Sequence, residues 1–437
     1  MRASKVYCTL IETLVKERII TERTRASFVR WVGLKEIAAE GERMVGDEVA
    51  EESIGSLKAI NRTSAGSYAG SAPERNHLTA PVHSKEPTMS TTPSIATRYT
   101  ARFGVPHPFA CAGLAFAGMT PDLAIAVSKA GGIGALGVGF TPHQVLREYI
   151  RTIRAATDAP FHVNFITCFE NDAQVRVCAE ERVPIVSWHW GHPSQAHRDL
   201  LRDAGVAYWE QVGSIDDARR AVAAGAEVVV AQGYEAGGHN FQGLPDQPGL
   251  PTMALLPMMV DAVGKDAMVL GAGGISDGRG VAAALALGAD AVWVGTRMVA
   301  TPEASVHDEH KRRIVAARGE DTVFSSIFGS EWPHFNPMRL QRNRVVREYN
   351  HRLAEVPQQR DHLEVIGKTV LYGKPMEMRK FNVILPTRET EADWEEMPWL
   401  MGQGVGLIND IVPAGVVVER MMSEAKAVLD RLARAQG

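Results

Sequence analysis

Residues with the types and spacing for chemistry gather in three short runs: AQGYEAGGHN at 231–240, GAGGISDGRG at 271–280 and VGTRMVATPEA at 294–304. Gly273 and Gly274 carry no Cβ, so their backbone N–H groups can approach a ligand closely. Gly295 and Thr296 repeat that arrangement, and Thr296 adds a hydroxyl donor. A helix N-terminus behind such a loop favours an anion. The two sites together read as a phosphate cradle, against the plainer reading that paired glycines only allow tight turns. In the first run His239 follows Gly237 and Gly238. Histidine titrates near neutral pH and is the usual general base. The glycines before it would let its ring be set against a ligand.

Two other segments put polar residues where a buried strand should be apolar. FHVNFI, at 161–166, sets His162 and Asn164 on one face. Asn164, nearer the C-terminal end, is the better candidate for a ligand contact; His162 suits a hydrogen bond inside the protein. SWHWGHP, at 187–193, alternates Trp188 and Trp190 with Ser187 and His189, and His192 follows. Tryptophans at that period are more often core, and His189 and His192 are weaker candidates for contact with a substrate. GAGG is not a dinucleotide fingerprint: Ser276 replaces the third glycine, and Asp290 precedes the next strand instead of closing it.

These runs need elements to position them. From Phe103 onward short apolar runs alternate with amphipathic helical stretches. Strands are expected at 108–112, 133–138, 161–166, 185–190, 207–212, 227–231, 268–271 and 291–294, with helices such as 121–130, 142–156, 215–224 and 278–287 between them. Strand–helix alternation argues a parallel sheet, and eight units argue a TIM (β/α)8 barrel over an open doubly wound sheet. The three runs then follow strands six, seven and eight, where such barrels carry function and commonly bind phosphate. The expected divisions are a barrel at 103–302, a smaller, partly helical capping subdomain at 303–400, and a loop and amphipathic helix at 401–437 that return to the barrel. Residues 5–48 could form one or two exposed helices and residues 53–97 are rich in Ser, Thr, Ala, Pro and charge, so 1–95 reads as a disordered or loosely helical extension, with Met89 as an alternative start.

Composition narrows the partners. A formal net charge of −4 leaves no basic footprint for nucleic acid. No apolar run reaches the roughly 18 residues of a membrane span, and no signal peptide is expected. The four cysteines form neither a C-x-x-C pair nor a zinc pattern, which suits reduced thiols in the cytoplasm and no metal.

The three runs, with PDLAIAVSKAGGIGALG at 121–137, SWHWGHP and GQGVGLIND at 402–410, closely resemble the nitronate monooxygenase family, formerly called 2-nitropropane dioxygenases. The resemblance extends from about Phe103 to the C-terminus. It implies a TIM barrel, non-covalent FMN, and oxidation of a small nitronate by O2 to a carbonyl compound and nitrite, with an oligomer left open. Carried over by position, His239 matches the catalytic histidine. Asn164, Gln211, Gln232, Gly237 and Gly238 match positions that line the flavin, as do Gly273, Gly274, Gly295, Thr296 and Gln403. The first strand departs from the family pattern with Ala110, Cys111, Ala112 and Gly113, and Gln211 stands where some relatives have lysine. Two alternatives stay open: an NAD(P)H-dependent flavin reductase acting on quinones or enoyl thioesters, and a non-redox barrel that binds a phosphorylated metabolite.

Overall fold

The computed structural model describes residues 95–240, 249–329, 337–359 and 362–435, so the reading of 1–95 as an extension and the Met89 start lie outside the described residues. Eight parallel strands form one sheet: β1 (Phe109–Cys111), β2 (Gly134–Gly137), β3 (Phe161–Ile166), β4 (Ile185–His189), β5 (Ala207–Val212), β6 (Val228–Gln232), β8 (Met268–Ala272) and β9 (Ala291–Val294). Their order is β1-β9-β8-β6-β5-β4-β3-β2. A parallel bridge between Ala110 and Ile133 brings β1 back beside β2. Cys111 donates to the Ile133 carbonyl at 2.9 Å, and Ile133 to the Phe109 carbonyl at 2.9 Å. The sheet is therefore closed, and the fold is a TIM barrel rather than an open sheet.

The helices between these strands each bury one stripe. In α3 (His143–Ala156) the buried residues are Leu146, Ile150 and Ile153, the spacing of one helical face. The preceding helices are α1 (Arg98–Phe103) and α2 (Pro121–Lys129). The ring continues with α4 (Asp172–Glu180), α5 (Gln195–Asp203), α6 (Ile215–Ala223), α7 (Thr252–Val263) and α8 (Gly278–Ala286). The first inward residues of the strands, among them Ile133, Ile185, Val228 and Met268, pack with Tyr99 of α1, which places α1 at the N-terminal end of the barrel. Arg98 of α1 binds Asp290 at 2.7 Å, and Asp290 accepts the Val269 N–H at 2.9 Å. Asp290 thus joins elements at the closed end and has no ribose to meet.

Beyond β9 come the short helix α9 (Thr296–Val299), α10 (Asp308–Ala316) and α11 (Arg344–Tyr349). This region is richer in strand than its sequence suggests. β7 (Gly238–His239), from the loop after β6, pairs antiparallel with β11 (Met338–Gln341), which pairs with β10 (Thr322–Ser325). A second small sheet joins β12 (Val365–Leu371), β13 (Lys374–Arg379) and β14 (Glu391–Ala392). Its hairpin turns at Tyr372 and Gly373, with φ of +50° and +75°, the left-handed pair that two-residue turns use. A tyrosine in that first position gives little sequence signal. The chain returns as α12 (Ala414–Arg434), which lies on α8. Gly278 makes that approach possible: a Cβ there would fall 2.3 Å from Glu424 Cβ and 2.5 Å from the Ala425 nitrogen.

Candidate active site

A cavity opens at the C-terminal ends of the strands. Three kinds of wall enclose it. Backbone-rich loops after β8 and β9, with Gly402 and Gly404, form one side. Asn164, Gln211, Gln232, His189 and His239 form a polar end. Phe116, Phe140, Phe169, Val383 and Leu385 form an apolar side. Among the described residues that line it, none is Asp, Glu, Lys or Arg.

The polar end is wired into the barrel interior. Asn164 donates from Nδ2 to Ser187 Oγ at 2.9 Å. Ser187 Oγ lies 2.8 Å from His162 Nδ1, and His162 Nε2 lies 2.9 Å from the Cys111 carbonyl. The carbonyl can only accept, so Nε2 carries the proton, Nδ1 accepts, and Ser187 donates to it. Burial holds the His162 imidazole neutral, with its pKa lowered to about 4. The chain consumes the Asn164 NH2 group and turns its amide oxygen to other uses. Gly113, which the departure in strand one supplies, makes room: a Cβ there would fall 2.0 Å from Asn164 Cγ.

His239 is held by its backbone. It pairs with Met338 across β7 and β11. Its carbonyl accepts from Gln232 Nε2 at 2.9 Å. The His189 imidazole bonds the same backbone, and burial lowers its pKa to about 4. His189 Nδ1 is buried without a protein partner among the described residues, so Nε2 makes that bond and Nδ1 is an acceptor. The rings of Trp190 and His239 meet edge to face with centroids 5.3 Å apart. Trp190 has φ of +70°, a left-handed conformation that a bulky residue rarely adopts, and here it turns the chain at the mouth of β4.

The loop that carries His239 is anchored by Glu235. Its carboxylate accepts the Thr252 N–H at 2.9 Å and the Thr252 hydroxyl at 3.0 Å, at the N-terminus of α7. Gly238, Gly273 and Gly274 have φ of +74°, +105° and +73°. A Cβ on Gly274 would meet nothing nearer than Glu235 Cβ at 3.6 Å, and one on Gly295 nothing nearer than Ala112 Cβ at 3.5 Å. Both glycines thus present bare backbone to the cavity. Thr296 Oγ1 accepts the Gly402 N–H at 3.0 Å, which leaves its proton to donate.

Nine of the ten residues expected to line a cofactor line this one cavity, with His239 beside them. Gln403 does not: its side chain is exposed. Its backbone N–H donates to the Glu235 carbonyl at 2.9 Å, and that turn brings Gly402 and Gly404 to the wall in its place. His192 also lies elsewhere, against buried Glu210, with Nε2 3.5 Å from Asp217 on the outer side of the barrel wall. The helix N-terminus expected behind the GAGG loop is already covered. Asp277 accepts from the Arg279 N–H at 3.0 Å, and Glu424 from the Gly278 N–H at 3.0 Å. Bare loop backbone, not the α8 dipole, is what this side offers an anion. Ser276 and the three phenylalanines were not expected; Ser276 sits where the dinucleotide pattern would have glycine.

The model of the family described as nitronate monooxygenase matches residues 97–172 and 165–424. The chain belongs to the nitronate monooxygenase family. It is 34% identical over 248 residues to a nitronate monooxygenase of Paraburkholderia phytofirmans, covering 47% of this chain and 67% of that one. Among solved structures it is similar to FabK from Thermotoga maritima, with 33% identity, a TM-score of 0.63, and coverage of 78% of this chain and 100% of that one. It is also similar to a nitroalkane oxidase from Streptomyces ansochromogenes, with 27% identity, a TM-score of 0.62, and coverage of 76% and 99%.

Like other nitronate monooxygenases, this protein is a flavin-dependent oxidoreductase. The residues present fit a flavin. Bare backbone at Gly274 and Gly295 gives a phosphate room beside N–H groups, and the buried acceptor on His189 suits a ring N–H. No helix among the described residues is long and apolar enough to cross a membrane.

Proposed function

We propose that this protein uses FMN and O2 to oxidise alkyl nitronates to a carbonyl compound and nitrite. One observation carries the reading: a single cavity joins a glycine-lined cradle, neutral amide side chains and His239, with no carboxylate or cationic side chain among its described lining. Gly273, Gly274, Gly295 and Thr296 would hold the phosphate end of the cofactor. Asn164, Gln211 and Gln232 would face its ring system. The flavin, when bound, supplies electron transfer; the protein supplies orientation and field.

A nitronate brings its own negative charge, so it needs oriented donors rather than a nucleophile. Gln232 is preset by its bond to the His239 carbonyl, while Asn164, whose NH2 group the Ser187–His162 chain takes up, would offer its amide oxygen to the flavin ring. His239 takes the carbon proton when the substrate arrives as a neutral nitroalkane. FMN is favoured over FAD because the cradle offers one phosphate site and the chain has no dinucleotide fingerprint. Buried thiols at Cys111 and Cys178, unpaired with any other cysteine, suit a cytoplasmic setting.

Anaerobic mixing tests the reading. A small nitronate should bleach the flavin with no pyridine nucleotide present, and admission of oxygen should release nitrite. Bleaching by NADH or NADPH alone, with no nitrite from any nitronate, would replace it with the reductase alternative.

A further inference from the structure

The apolar side of the cavity is built, not incidental. Phe140 and Phe169 pack with ring planes tilted by 40° and centroids 4.7 Å apart, and Phe116 lies 6.4 Å from Phe140. These rings come from three different loops, after β1, β2 and β3. Buried Val383 and Leu385 extend the wall from the segment after β13. Each loop is braced. Thr141, next to Phe140, shares a 2.9 Å hydrogen bond with the Tyr372 hydroxyl at the β12–β13 turn. Gln174 Nε2 donates to the Thr141 carbonyl at 3.1 Å. Buried Asn171 donates to the Phe169 carbonyl at 2.9 Å. Gly139, with φ of +51°, lets the second loop come close to the first, where a Cβ would lie 3.3 Å from the Ala115 carbonyl oxygen.

Phe140 is 39% exposed at the mouth of the cavity. Holding apolar surface in water costs free energy in proportion to its area. A nitronate of one or two carbons carries nothing to cover it. We propose that the substrate bears an extended apolar tail, aliphatic or aryl, which lies against Phe116, Phe140 and Phe169 while its anionic head faces His239. The proposal takes the head group from the reading above. The tail subsite stands on the wall alone.

The test separates the two. Straight-chain carboxylates of increasing length, whose heads are planar anions, are titrated into the flavin-loaded enzyme by calorimetry. Affinity should rise roughly fourfold for each added methylene, the worth of one buried CH2, and the heat-capacity change should grow more negative with length. Phe140→Ala should flatten that slope, and Phe140→Leu should recover most of it, with flavin content unchanged in both. The same slope should appear in kcat/KM for a series of nitronates. Affinity that does not rise with length, including no binding at any length, overturns the tail subsite. A slope that Phe140→Ala leaves intact overturns the assignment to this wall. Rising carboxylate affinity with no nitronate turnover keeps the subsite and discards the nitronate head.

Discussion

Gln232 Nε2 donates to the carbonyl oxygen of His239 at 2.9 Å, tying the end of a barrel strand to the residue seven positions later. With the His189 bond to the same backbone, it fixes where the His239 ring is presented. Gln232→Leu removes this donor at little change in volume. A net hydrogen bond is worth about 1 kcal/mol, so kcat/KM should fall roughly fivefold with flavin still bound. Wild-type kcat/KM in that variant would show that the β7–β11 pairing alone positions His239.

His239→Asn keeps a polar group of similar size and removes the imidazole proposed as the base. Turnover of a neutral nitroalkane should drop by roughly 10²–10⁴-fold, the usual worth of a positioned base. The nitronate has already lost that proton, and its turnover should fall much less. Steady-state rates on both forms of one substrate decide this. Equal, severe losses on both would assign His239 to orienting the nitro group instead.

Gly274→Asp should abolish flavin retention. The residue has φ of +73°, and its missing Cβ leaves backbone bare to the cavity. The substitution adds bulk and a negative charge where a phosphate would sit. The measurement is flavin absorbance per folded protein after purification, with far-ultraviolet circular dichroism as the control. Wild-type denatured with heat should release FMN; release of FAD would mean that an adenosine half fits somewhere the cradle does not suggest.

Acid should weaken the fold through its buried histidines. His162, His189 and His310 each have a pKa lowered to about 4, chiefly by burial. In the unfolded chain histidine titrates near 6.5. Between those values the unfolded state binds more protons, so stability rises with pH there. The contribution is full above about pH 6.5 and is lost as pH falls toward about 4. Urea midpoints measured at about pH 7.5, 6 and 5 should decrease in that order, at constant ionic strength. A midpoint unchanged from about pH 7.5 to about pH 5 would contradict neutral burial of these rings.

The barrel and most of the site were legible in the chain because both are local in sequence. Apolar strands and amphipathic helices repeat with periods that a reader can count, and each loop of the cradle follows its own strand. Gly273, Gly274 and His239 announce themselves by residue type. Residue type alone does not say whether a side chain faces in: the backbone of Gln403 is held by Glu235, and its neighbours Gly402 and Gly404 line the cavity. The small sheets after the barrel were hidden for a related reason. β7 and β14 are two residues long, and only pairing with distant strands makes them strands at all.

The sequence by itself determined the parallel barrel and the glycine loops, since each depends on periodicity or side-chain chemistry within a few positions. Tertiary structure alone decided what those groups face. Phe116, Phe140 and Phe169 become one wall only when three loops close over the same mouth. His162 becomes a neutral link to Asn164 only when Ser187 and Cys111 arrive from neighbouring strands. Contacts between residues far apart in the chain arise from packing, and no local pattern encodes them.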